Sequence, residues 1–430
     1  MHQFIKYLTL FATFAFACGC ESNAICPGDA SATVSFNPVP EEDNWLSLPF
    51  PIDLPNEDGN PNWENYPNPF KVGLLDDYIK VATRDSDGYS LNGAVYFSFS
   101  SPLNTARLPS SHASASIEQL ALIDIDPDSD EYGRLFPVRW EYWAADLAYV
   151  KANTLAVAPH WGFPLNESTT YAMIIRDGLT STTGETFKAE PALGALLSDA
   201  GADACGQSMP QSTYDDLNEG FALLRNYLNQ TSIDPATVIA ATVFTTQSTT
   251  RELKQIYDQV QTASAPIYQG DQWQPMDDAG NKFETKSFKW NSRDTTEYYL
   301  MEGRLTIPNY QVGDVPYNRD GQLQFIDGEP VVAQDETIRF TLAIPKTQEP
   351  AANGCFPITE YAHGTGGSAY SMVPETSGRL AARGIATIGI DMPIHGTRND
   401  NSNFDVDIAT FNFANPDSAR SIFRQAAIDT

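Results

Sequence analysis

The stretch that most restricts the fold is residues 357–391. Pro357-Ile358-Thr359-Glu360-Tyr361-Ala362 reads as a strand running into His363-Gly364-Thr365-Gly366-Gly367, and a helix-like segment from Ser368 to Arg383 then stops at Gly384. Ile385 to Asp391 follows as an apolar run of the kind buried on both faces of a sheet. Strand, glycine-rich turn, helix and buried strand make a βαβ unit, which implies a parallel sheet. At the carboxyl end of such a strand, glycines let the backbone bend so that N–H groups point into one space, where the oxyanion of an acyl transfer can be held. Two other readings compete. One is a plain turn between strand and helix. The other is a phosphate cradle, but the stretch has neither the Lys-Ser/Thr of a P-loop nor the three-glycine spacing of a dinucleotide site.

At 430 residues the chain is long enough for two or three domains. Upstream of the βαβ unit, strand-like runs dominate: Ala94 to Phe99, Leu120 to Ile125, Thr154 to Pro159 and Thr170 to Ile175, with turn formers between them at the spacing of a β-sandwich. Leu217, Phe221, Leu224 and Leu228 repeat at helical spacing within 214–228. A strand (238–245) and a helix (250–263) follow, then strands near 298–308, 322–325 and 336–344, and a last helix from Asn415 to Thr430. The fold class expected is therefore mixed: a β-sandwich-like first domain followed by a mostly parallel α/β region.

Charge removes one class of partner. Lys plus Arg is 26 against 55 Asp plus Glu, and no two cations are adjacent, so nucleic acid is not an expected partner. The N-terminus reads as an export signal: Lys6 precedes an apolar run, Tyr7 to Ala17, too short to span a bilayer. Ala17-Cys18-Gly19-Cys20 resembles a bacterial lipobox, with Cys20 the lipidated residue and Cys18 the lesser choice. That resemblance implies an exported lipoprotein at the outer membrane or cell surface, or else a periplasmic or secreted one. Cys26, Cys205 and Cys355 then remain, enough for one disulfide whose pairing the sequence leaves open. Asp124, Asp126, Asp128, Asp130 and Glu131 alternate in a way that suits calcium or a solvated turn. His112 and His160 are isolated.

HGTGG with the downstream Gly389-Ile390-Asp391-Met392-Pro393-Ile394-His395-Gly396 resembles the early half of an α/β-hydrolase of the lipase and esterase type. The upstream region, through Leu48 to Asp53, Asp124 to Gly133, and Asn153 to Leu165 with Thr169 to Ala172, is similar to the N-terminal part of bacterial lipases of the extracellular virulence-factor type. The resemblance implies a signal over 1–19, an extended arm over 20–63, a β-rich domain over 64–265 and an incomplete hydrolase domain over 285–430. It also implies an acyl ester or lipid substrate, no cofactor and no metal. His363, Gly364, Thr365, Gly366 and Gly367 take the place of the oxyanion-hole loop, the amides near Thr365 and Gly366 being its donors. Asp391 and His395 take the place of the active-site rim. No G-x-S-x-G occurs in the sequence, so nucleophile, acid and catalytic His do not map, and the expectation is an incomplete chain. A substitute triad from Ser368 or Ser371 with Asp391 and His395 is a minor alternative. A non-catalytic surface lipoprotein with a β-sandwich binding module is the alternative from another class.

Overall fold

In the computed structural model the residues described are 25–26, 32–39, 44–56, 59–63, 66–110, 116–206, 209–263, 267–268, 289–290, 296–352, 354–399 and 404–430. Residues 1–19, Cys20 and His112 lie outside them. The fold is mixed helix and sheet with several antiparallel sheets, and it divides into two compact units, Met1–Pro67 with Asp87–Gln247 and Asn68–Ser86 with Ser248–Thr430. This differs from a boundary near 265: residues 68–86 and 248–265 belong to the second unit.

The first unit holds β1 (Val95–Ser98), β2 (Leu120–Asp124), β3 (Leu135–Phe136), β4 (Val138–Trp143), β5 (Thr154–Pro159), β6 (Thr170–Arg176) and β7 (Val238–Thr245). They form two antiparallel sheets, β1-β5-β4 and β3-β2-β6-β7. A core of Phe97, Leu155 and Val157 from one sheet and Leu122, Tyr171, Met173 and Phe244 from the other lies between them. The far face of the four-stranded sheet, with Ile123, Ala172, Ile174 and Val243, packs on helices Pro191–Ser198 and Gln211–Gln230 through Leu193, Leu196, Phe221 and Leu224. Strand β6 is thus covered on both faces, which is why Tyr171 to Ile175 carries no polar alternation. Each wholly buried Leu, Phe or Met there contributes about 1.5–3 kcal/mol. Cys26 pairs with Cys205, and Cys355 lies outside that bridge.

The second unit holds β8 (Ile267–Tyr268), β9 (Lys289–Trp290), β10 (Tyr298–Asn309), β11 (Phe325–Ile326), β12 (Glu329–Pro330), β13 (Gln334–Pro345), β14 (Ile358–Tyr361) and β15 (Ala386–Ile390). The sheet order is β14-β15-β13-β10-β8, with β9 also on β10, and β11 and β12 make a separate hairpin. The long pair β10 and β13 is antiparallel, as are β13 with β15 and β10 with β8 and β9, and only β14 and β15 run parallel among the described strands, so the sheet is not the mostly parallel one expected: the βαβ unit supplies a single parallel pair and the strands before it are joined without such crossovers. Gly303 lies across from Phe340, and a Cβ there would come within 2.4 Å of the ring, so the strand pair needs glycine to seat that side chain.

The segment expected as one helix over 368–383 is shorter. A π-helical turn (Val373–Ser377) passes into helix Gly378–Ala381, and residues 368–371 form a turn instead. Two causes are local. The hydroxyls of Ser371 and Ser368 capture the amides of Ser368 and Tyr370, and Pro374 has no N–H to extend a ladder toward the N-terminus. Helix Gly73–Asp85 has no expected counterpart. None of its residues is fully buried, although Leu75, Ile79 and Ala82 line one half-buried side at helical spacing.

Candidate active site

The glycine loop leaves the carboxyl end of β14, and the loop 391–398 leaves the carboxyl end of the parallel neighbour β15. Parallel pairing therefore brings His363 to Gly367 and Asp391 to Arg398 to one edge of the sheet. Within the glycine loop, Gly367 N–H donates to the Gly364 carbonyl at 3.0 Å while Gly366 has φ +76°. A tight turn with its third residue in the left-handed region favours glycine there. Gly367 has no room for a side chain either, since a Cβ would sit 2.7 Å from His363 Nδ1. Gly364, Thr365 and Gly366 are exposed, and the Thr365 amide has no partner among the described residues.

Asp391 is wholly buried and anchors the site. Its Oδ1 accepts from Ala369 N–H at 2.8 Å and Arg339 Nη2 at 3.0 Å, and its Oδ2 accepts from Thr397 N–H at 2.7 Å and Thr397 Oγ1 at 2.9 Å. Burial pushes this carboxyl upward, but the two amides and Arg339 outweigh it and hold it below its ordinary range. Gly396, at φ +55°, sits so close that a Cβ would meet the Asp391 carboxyl carbon at 2.2 Å. Behind the loop, buried Arg398 pairs with Glu336 of β13 and Asp429 of helix Pro416–Asp429, and donates to the Asp391 carbonyl at 3.2 Å.

The two histidines are both buried, with ring centroids 5.0 Å apart. His363 Nε2 accepts from Met392 N–H at 3.2 Å and His395 Nε2 accepts from Gly366 N–H at 3.1 Å. Each Nδ1 faces a carbonyl, Gly364 O at 2.8 Å for His363 and Pro393 O at 2.8 Å for His395. A backbone amide only donates and a carbonyl only accepts, so both rings are neutral with the proton on Nδ1. Burial first, helped by His363 and opposed by the Pro393 bond and by Asp407 and Asp391, holds His395 below its ordinary value of 6.5.

The expected residues thus meet at one edge of the sheet. Gly366 N–H, expected as an oxyanion donor, is engaged by His395. The substitute triad does not assemble: Asp391 is bonded to Ala369, Thr397 and Arg339, both His395 nitrogens face backbone groups, and Ser368 and Ser371 cap their own turn. In the first unit, Asp124 and Asp126 accept amides of their own loop, Ser129 Oγ donates to Asp124, and no group of side chains among the described residues is arranged to hold a metal. His160 faces the Trp161 carbonyl at the end of β5, remote in sequence from the loop. Sequence reasoning missed Arg339, Thr397 and Arg398, whose only signal is that charged or polar residues stand in or beside apolar strands.

No family model matches the chain, and no curated protein matches it. Among solved structures, a cold-adapted esterase from an Arctic intertidal metagenomic library is 17% identical over 33% of this chain and 48% of its own, with a TM-score of 0.18. The chain therefore spans about half of that esterase's length. The S-layer protein rSbsC is 10% identical over 71% of this chain and 32% of its own, with a TM-score of 0.17.

Proposed function

We propose that the second unit carries the oxyanion-holding part of a carboxylic ester hydrolase with an α/β-hydrolase sheet, acting on acyl ester or lipid substrates and exported as a lipoprotein anchored through Cys20. The observation that carries this reading is the exposed Thr365 amide, without a partner among the described residues and held in a glycine turn at the carboxyl end of a parallel strand. A sheet that begins antiparallel and turns parallel at that strand supports it. The Cys26–Cys205 bridge fits an oxidising compartment. In this reading the Thr365 N–H stabilises the oxyanion as a serine attacks the ester carbonyl, and the G-x-S-x-G that would carry that serine does not occur in this sequence.

The test uses the product of the whole native reading frame. A fluorophosphonate should label one serine in a G-x-S-x-G, and the protein should hydrolyse p-nitrophenyl esters. Thr365→Pro removes the amide proton, along with the threonine side chain, at a turn position that suits proline, so it should lower kcat by about 10²–10³ with the fold retained, whereas Thr365→Ala, which keeps the amide, should not. Absence of labelling and of hydrolysis would refute the reading and leave the non-catalytic surface lipoprotein.

A further inference from the structure

The two loops at the sheet edge are tied by a reciprocal pair of bonds. His363, on the loop after β14, accepts the Met392 amide of the loop after β15, and His395, on that second loop, accepts the Gly366 amide of the first. We propose that His363 and His395 are positioning residues forming a reciprocal stitch in which each Nε2 accepts an amide of the other loop, and that protonation of His395 releases the Gly366 amide. The stitch lies within these residues and stands whether or not the loop serves a hydrolase. Where it does, the stitch decides whether the loop offers the Gly366 amide beside that of Thr365: bound when closed, free when open.

The chemistry is forced by the donors. A second proton on His395 would occupy Nε2, turning the acceptor of Gly366 N–H into a donor that faces it. The Thr410 hydroxyl, 3.4 Å from Nε2, has lone pairs that can accept this new proton, which leaves the Gly366 amide without its acceptor. From its own loop, Asp391 is committed to Ala369, Thr397 and Arg339, and Arg398 to Glu336 and Asp429. From the glycine loop comes His363, whose Nε2 is taken by the Met392 amide. From helix Val406–Phe411, Asp407 approaches Gly366, and the Thr410 hydroxyl lies 3.4 Å from Nε2 while donating to the Val406 carbonyl. A second feature points the same way: Ile394, beside His395, is 1% exposed and has φ +60°, a conformation a β-branched residue adopts only when its surroundings impose it. The depressed His395 value adds support. Its sign makes the neutral ring a stabilising term above the ordinary 6.5 that is lost as pH falls through the lower folded value.

The test is NMR on the ¹⁵N-glycine-labelled chain, following the Gly366 amide from about pH 8 to about pH 5, the window of histidine titration. The expected result is a Gly366 signal that moves with the His395 ring, with a midpoint below 6.5. His395→Phe should abolish that movement and speed Gly366 amide exchange about tenfold. His395→Gln, whose carbonyl can accept the amide, should restore protection without restoring the pH dependence, and it keeps the test decisive if the Phe variant does not fold. A Gly366 signal that ignores pH across this window, or that titrates unchanged in His395→Gln, overturns the proposal.

Discussion

Replacing Asp391 with Asn removes one charge and almost no volume, so its cost isolates the hydrogen-bond set beneath the glycine loop. The carboxylate serves two donors on each oxygen: Ala369 N–H and Arg339 on one, Thr397 N–H and hydroxyl on the other. An Asn amide presents one oxygen and one NH₂, so in either orientation two donors face a donor. The oxygen will turn to Ala369 and Arg339, because the Thr397 hydroxyl can rotate to accept while Arg339 cannot. What is lost is the Thr397 amide bond and the charge that balances Arg339, whose side chain is only 18% exposed. With bonds to charged groups worth about 1.5–3 kcal/mol and a broken buried pair about 3–5, the expected cost is about 3–5 kcal/mol. Because the folded carboxyl lies below its ordinary range, this contribution is present above the unfolded value of about 3.9 and disappears only as pH falls through the lowered one. The difference from the native protein should therefore be flat from about pH 5 to about pH 8 and shrink in stronger acid. The two units need not unfold together, so urea unfolding is best read by hydrogen-exchange mass spectrometry, using peptides over 364–372 and 386–399 against 170–176 and 238–245 as internal reference. Asp77→Asn, which breaks an exposed pair with Lys80, should cost under about 1 kcal/mol. A cost for Asp391→Asn no larger than that control would refute the assigned anchor.

Two further outcomes follow from the same geometry. Gly396→Ala drives a Cβ into the Asp391 carboxyl at a positive φ, and should cost the second unit about 3 kcal/mol or more, whereas Gly364→Ala, with nothing within 4 Å, should cost under about 1; equal urea midpoints would contradict this. Reducing and alkylating Cys26–Cys205 opens a loop of 179 residues, for which chain entropy alone gives about 5 kcal/mol, and the loss should fall on the first unit only. An unshifted midpoint for peptides of β6 and β7 after complete alkylation would count against the pairing.

What the sequence made legible is the part governed by period. The apolar runs of β5, β7 and β15, the stripe of Gln211–Gln230 and the parallel step from β14 to β15 were each readable, because burial imposes a repeat on the residues themselves. Helix Gly73–Asp85 was not placed, because the ion pairs that attach it join residues far apart in the chain. Arg84 pairs with Asp417, and Asp85 with Arg420, across more than 330 residues, a distance no local pattern encodes. The Cys26–Cys205 pairing was hidden for the same reason. At the site, His363, Asp391 and His395 were identifiable as residue types near a turn, but their roles were not. A histidine's function there depends on which nitrogen holds the proton, and that is set by amides 29 positions away in sequence.

Ile394 exposes the physical reason those roles escape a linear reading. Holding a β-branched residue at positive φ costs about 1–3 kcal/mol, so nothing in its type suggests the conformation it adopts. Its side chain is buried with Tyr317 and Ile422, and burial of an Ile contributes about 1.5–3 kcal/mol, enough to offset the strain. The packing of helix Pro416–Asp429 against this loop, through Ile422, therefore sustains a backbone conformation that aims the next residue, His395, at Gly366. An Ile422→Ala substitution would remove that support at a distance from both histidines. The stitch should then weaken while every residue that forms it remains in place, so the Gly366 amide should lose protection in that variant even with His395 intact.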